Sequence, residues 1–126
     1  MSEERRKHSR FLVRVLSEVR VASTGYATDG LLLDISIGGL YMRSRAKVLL
    51  GATASLSFSH RTFGPCVAKG LVERVSQVPR LRGFAIHFNE ITESYKTYIE
   101  ELEARTALDR HAIIAKMFDT TITVSA

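Results

Sequence analysis

The sequence predicts a mainly β fold, a six-stranded antiparallel barrel followed by a C-terminal helical segment. Three observations carry this. Apolar residues alternate with a period of two from Phe11 to Phe88, Gly, Pro and Ser punctuate the stretch at short intervals, and the period turns helical only after Phe88. No strand alternates with a helix in that stretch, which disfavours a parallel α/β sheet.

Taken in order, Phe11, Val13 and Val15 alternate with Leu12 and Arg14, and Val19 and Val21 continue the first strand. Leu31 to Ile35 forms a second, short apolar run. Leu40 to Arg43 follows the Gly38-Gly39 pair as a third. Ala54-Leu56-Phe58, Val67 to Val75 and Phe84-Ile86-Phe88 complete the six. Six short strands with tight turns fit a meander or small barrel whose interior takes one face of each strand. Thr92 then reads as a helix N-cap with Glu93 in the first turn. Tyr95, Tyr98, Ile99 and Leu102 recur at helical spacing and are expected to pack on the barrel. Ile113, Ile114, Met117 and Phe118 form a second apolar set that continues the helix or starts another, with packing, dimerisation and docking all open to it. Asp119 to Ala126 is Thr-rich with no helical period: a frayed tail, or a short strand in need of a partner. The division is an arm at 1–10, a barrel at 11–92, a helical segment at 93–118 and a tail at 119–126, all in one domain.

With 126 residues, 45% apolar and 25% charged, the chain suffices for one globular core. No aliphatic stretch comes near the roughly twenty residues of a membrane helix. The charged start MSEERRKHSR resembles no secretory signal, and the single cysteine, Cys66, points to a reducing compartment. The expectation is a soluble cytoplasmic domain. Its net charge of +5 is uneven: residues 1–92 carry fourteen Lys/Arg against seven Asp/Glu, and residues 93–126 four against six. A basic body with an acidic end points to an anionic partner.

No catalytic set emerges, and the expectation is a non-enzyme with no cofactor. His8, His60, His87 and His111 never fall at metal-ligand spacing with Cys66 or a carboxylate. His87 reads as a polar-face strand residue, and Cys66 beside Pro65 as an ordinary thiol. Ser44-x-x-Lys47 has the serine–lysine spacing of some acyl enzymes but lacks their supporting motifs. No Walker loop or dinucleotide glycine fingerprint is present.

Two other features stand out: the basic run Arg5-Arg6-Lys7-His8-Ser9-Arg10, and Asp34-Ile35-Ser36-Ile37-Gly38-Gly39 between two short strands. Either alone is a solvated arm or ordinary turn chemistry. Together they make a guanine-nucleotide clamp. Arginine grips guanine O6 and N7 or a phosphate bidentately, and a carboxylate such as Asp34 accepts from guanine N1–H and N2–H. Ser36 adds an adaptable hydroxyl, and Gly39, lacking a Cβ, lets a flat base approach.

The pair resembles the signature of the PilZ domain family, bacterial receptors for cyclic di-GMP: R-x-x-x-R, then [D/N]-x-S-x-x-G. Here it reads Arg6-x-x-x-Arg10, preceded by Arg5, and Asp34-x-Ser36-x-x-Gly39. Val72-Glu73-Arg74-Val75 and Gly83 to Phe88 match more softly, and the likeness spans roughly residues 4 to 103. The resemblance implies a barrel with a packed C-terminal helix and an arm that is mobile without ligand and wraps cyclic di-GMP against the barrel. It implies that Arg6 and Arg10 bind guanine and phosphate, with Arg5 an auxiliary phosphate contact. Asp34, Ser36 and Gly39 are the implied guanine contacts on the barrel side. One or two ligand molecules, and a downstream protein partner in trans in motility, pili or polysaccharide control, are also implied. Two alternatives stand beside this. One is a small basic barrel that binds nucleic acid, supported by Arg43, Arg45, Lys47, Arg80 and Arg82 with Tyr41 and Phe63 as stacking candidates. The other is a PilZ-like adaptor that binds no ligand.

Overall fold

The computed structural model of the protein describes residues 10–108 and 117–125. Seven strands close into a barrel: β1 (Phe11–Val21), β2 (Tyr26–Ile35), β3 (Gly39–Ser44), β4 (Thr53–His60), β5 (Gly64–Ser76), β6 (Gly83–Ile91) and β7 (Phe118–Val124). Helix α1 (Glu93–Leu108) lies between β6 and β7 in the chain. The order around the barrel is β1-β2-β3-β6-β5-β4-β7. All pairs are antiparallel except the closing one, where Glu18–Val21 runs parallel to Thr121–Val124.

The six expected strands are all present, and the seventh corrects the count. Of the two readings open to the C-terminal segment, tail or strand, the strand holds. Of the helical segment expected at 93–118, the described residues form a helix over Glu93–Leu108, with Phe118 already in β7. The reason is topological. In the six-stranded sheet β1 and β4 are both edges, each a row of unpaired backbone groups. Segment 118–124 fills the gap, pairing with β4 on one side and β1 on the other. Its β-branched alternation buries Ile122 and Val124 completely. Of the second apolar set, Met117 joins the core, Phe118 is exposed, and Ile113 and Ile114 lie outside the described residues.

Inward residues of every strand make one core, including Val19, Leu32, Met42, Leu56, Val72, Phe84 and Ile122. Thr92 caps α1 as its position predicts, its hydroxyl accepting from the Tyr95 amide at 3.3 Å and from the Val67 amide at 3.1 Å. Tyr95, Tyr98, Ile99 and Leu102 are buried on the barrel. Phe58 meets Tyr98 edge-on at 5.1 Å, and Phe88 meets Tyr95 at 5.7 Å.

Several strands break their alternation, and the breaks in β2 and β5 shape the outer surface beside β3 and β6. In β2 the inward residues Leu32 and Ile35 are three apart, and the register with β3 slips between Leu32 and Asp34. In β5 the inward residues Val72 and Val75 are likewise three apart, with a slip against β6 between Val72 and Arg74. Each bulge turns two consecutive residues outward: Leu33 and Asp34 in β2, Glu73 and Arg74 in β5.

Candidate functional site

The two bulges flank a shallow cleft of about 380 Å3, within the roughly 300–1,000 Å3 of small-molecule sites. Its floor is the outer face of the β3–β6 pair, where Gly39 stands opposite His87 and Tyr41 opposite Ala85. Small residues there keep the floor low. Asp34 stands on one side, and Glu73 and Arg74 on the other. Arg10 completes the lining because Phe11 pairs with Ile35, which brings the residue before β1 to the end of β2. The described charges are mixed: two arginines, two carboxylates and a histidine. His87 is exposed on the outward face as predicted, its Nδ1 3.6 Å from Glu73 Oε2, an ion pair when the imidazole is protonated.

The turn between β2 and β3 is held from within. The Ser36 hydroxyl accepts from the Gly38 and Gly39 amides at 3.1 and 3.0 Å and lies 3.3 Å from the Gly39 carbonyl, to which it donates. The Ser36 amide donates to that same carbonyl at 2.8 Å, and the Phe88 amide to the Gly38 carbonyl at 2.8 Å. From below, the Tyr95 hydroxyl donates to the Ser36 carbonyl at 2.6 Å. The sequence reading gave the Ser36 hydroxyl to the ligand. Here it serves the turn and sets the shape of the cleft wall.

Gly39 is required for a second reason as well. A Cβ there would collide with the Ile86 carbonyl oxygen, so β3 and β6 could not approach as they do. The signature's glycine is thus needed by the sheet before any ligand is considered.

The structure therefore brings together Arg10, Asp34, Ser36 and Gly39 of the residues expected in the site. Arg5 and Arg6, and the arm apart from Arg10, lie outside the described residues. Arg74, Glu73 and Tyr41 line the cleft without having been assigned to it. The sequence signal for Arg74 was present, since Glu73-Arg74 interrupts the alternation of β5, but a bulge is visible only against its partner strand. Tyr41 is fixed by its hydroxyl, which donates to the Leu81 carbonyl at 2.6 Å.

Cys66 is fully buried, and burial, partly offset by a hydrogen bond with Ser94, pushes its thiol above the ordinary range. Among the described residues no cluster of three His, Cys, Asp or Glu could hold a metal ion. No helix of those residues is long and apolar enough to cross a membrane.

Comparison with known proteins agrees with this architecture. No curated protein matches the chain. Among solved structures, the PilZ domain with c-di-GMP of YcgR from Escherichia coli aligns with a TM-score of 0.56 at 15% identity, covering 85% of this chain and 99% of that one. At that identity the likeness speaks for the fold. The PilZ domain family model matches residues 4–105, well over half the sequence, and the chain belongs to the PilZ domain family.

Proposed function

We propose that this PilZ domain is a cytoplasmic receptor for cyclic di-GMP, a non-enzyme that changes its surface on binding and passes the change to a protein partner. The observation that carries the reading is the convergence of Arg10, Asp34 and Gly39, three parts of two separated motifs, on one open cleft. Family membership and a neighbour described with c-di-GMP support the same reading.

In this reading Asp34 accepts the N1–H and N2–H of one guanine, whose flat ring lies over the low floor at Gly39 and Ala85. Arg10 takes guanine O6 and N7 or a phosphate through its planar fork. Arg74, on the opposite wall, takes a phosphate, and Arg6 and Arg5 close over the outer side from the arm. Ser36 acts as a positioning residue, holding the turn that aims Asp34. The dianionic ligand bridges arm and barrel, and the altered surface is the signal.

The nucleic-acid alternative loses support. The Tyr41 hydroxyl is tied to the Leu81 carbonyl and Phe63 stacks one face on His60 at 4.8 Å, so each stacking candidate already has a partner within the chain.

Isothermal titration with cyclic di-GMP, with GTP and cyclic AMP as controls, tests the reading. Selective binding in the micromolar range or tighter is expected, and the inflection counts ligands per chain. A folded protein that takes up no cyclic di-GMP would overturn it.

A further inference from the structure

Two features of the surface have no part in the cleft. On the outer face of β1, Leu12 and Leu16 are 83% and 80% exposed, extreme for leucines inside a strand. Leu16 pairs with Leu31 of β2, and Leu33 is the outward residue of the β2 bulge, so four leucines share one face. Beside them a recess of about 450 Å3 is lined by Arg43, Arg45 and Arg82 against the single carboxylate of Asp29, as well as by Leu31. Leu31 stands opposite Arg43 in the β2–β3 register, which makes the leucine face and the arginine recess one continuous surface. Arg14, exposed between Leu12 and Leu16, adds a further positive charge on the same face.

We infer that this surface docks a partner protein through an acidic segment carrying apolar anchors. Leucines provide the area that leaves water, and arginine forks provide paired hydrogen bonds to Asp or Glu side chains. The exposed leucines favour a peptide with apolar anchors over a nucleic-acid backbone, which has no apolar side chains to bury beside them. Arg82 is half-buried, its guanidinium donating to the Arg45 carbonyl at 3.3 Å, while Arg43 and Arg45 are exposed and open to carboxylates. A second copy fits poorly. The acidic element of this chain, α1, buries Tyr95, Tyr98, Ile99 and Leu102 against its own barrel and would bring charge without anchors. The inference goes beyond the receptor reading and holds whether or not the cleft takes cyclic di-GMP.

The test is a titration of the methyl-labelled full chain with a synthetic helical peptide of about eighteen residues, leucine at i, i+3, i+4 and i+7 and glutamate between. Saturable shifts of the Leu12, Leu16, Leu31 and Leu33 methyls are expected. Leu12→Ser with Leu16→Ser, and separately Arg43→Glu with Arg82→Glu, should each weaken binding about tenfold or more. Both pairs lie on the surface, and unchanged thermal midpoints verify that the variants fold. Absent or scattered shifts would overturn the inference, as would equal binding of the same peptide with lysine for glutamate. So would methyl shifts that follow protein concentration alone, or tighter binding of phosphatidylglycerol vesicles or mixed-sequence RNA at this face.

Discussion

The cleft over β3 and β6 and the end of the barrel beneath α1 use the same strands in opposite ways. Beneath the helix, aromatic rings meet edge-on and side chains are exposed by a few per cent or less. In the cleft, Arg10, Glu73, Arg74 and His87 are exposed and the fold asks little of them. The two regions meet at Ser36 and at Phe88, which lines the cleft and packs on Tyr95. Ser36 offers its carbonyl to the buried Tyr95 hydroxyl and its own hydroxyl to the turn that forms the cleft wall. The contrast separates stability from recognition: packing supports the turn from below, while the charged groups above it stand at the surface of the cleft, where a ligand can reach them.

Removing the ring at the helix end should have the largest effect. Tyr95→Ala is expected to cost about 3–5 kcal/mol of unfolding free energy, as large aromatic truncations in cores do. Urea denaturation measures it, and a loss below about 1 kcal/mol would erase the contrast. Gly39→Val comes next, because its side chain must displace the Ile86 carbonyl. About 1–3 kcal/mol of destabilisation is expected, together with weaker cyclic di-GMP binding, since floor and turn move together. Arg10→Ala sharpens the other half. Stability should stay within about 0.5 kcal/mol, while cyclic di-GMP affinity falls about tenfold or more. An unchanged affinity would remove Arg10 from the site.

The smallest effect at neutral pH is ionisation at the helix end. Burial first, then the neighbouring Tyr98 and Cys66, hold the Tyr95 hydroxyl far above its usual range, and burial raises Tyr98 as well. A folded-state value above the unfolded one stabilises the fold in full below the unfolded value, about 10 for tyrosine. That contribution shrinks as pH climbs past it, when the unfolded chain ionises and the folded one does not. Urea midpoints should therefore be level from pH 7 to 9 as far as these groups act, and fall above about pH 10. Equal midpoints at pH 8 and 11 would show the phenols free to ionise in place.

Much of this was legible from local patterns. The six strand cores, the Thr92 cap and the helix face of Tyr95, Tyr98, Ile99 and Leu102 follow from periods of two and 3.6, which a chain carries in its own order. The two motifs could be read as a guanine clamp because arginine, aspartate and glycine have chemistry that spacing alone brings forward. What the sequence could not disclose depended on a partner. Segment 118–124 reads as tail or strand alike until β1 and β4 present their open edges. Asp34 and Arg74 reach the cleft because bulges slip the register, and a slip is defined only against the neighbouring strand. The Ser36 hydroxyl was open to turn or ligand in the sequence, and in the structure the turn holds it. By itself, then, the sequence determined which residues alternate, where the helix starts and which groups could bind guanine. The tertiary structure decided barrel closure and the phase of strands such as β2 and β5, because a register exists only between strands, whereas the Ser36 hydroxyl is taken locally, within its own turn.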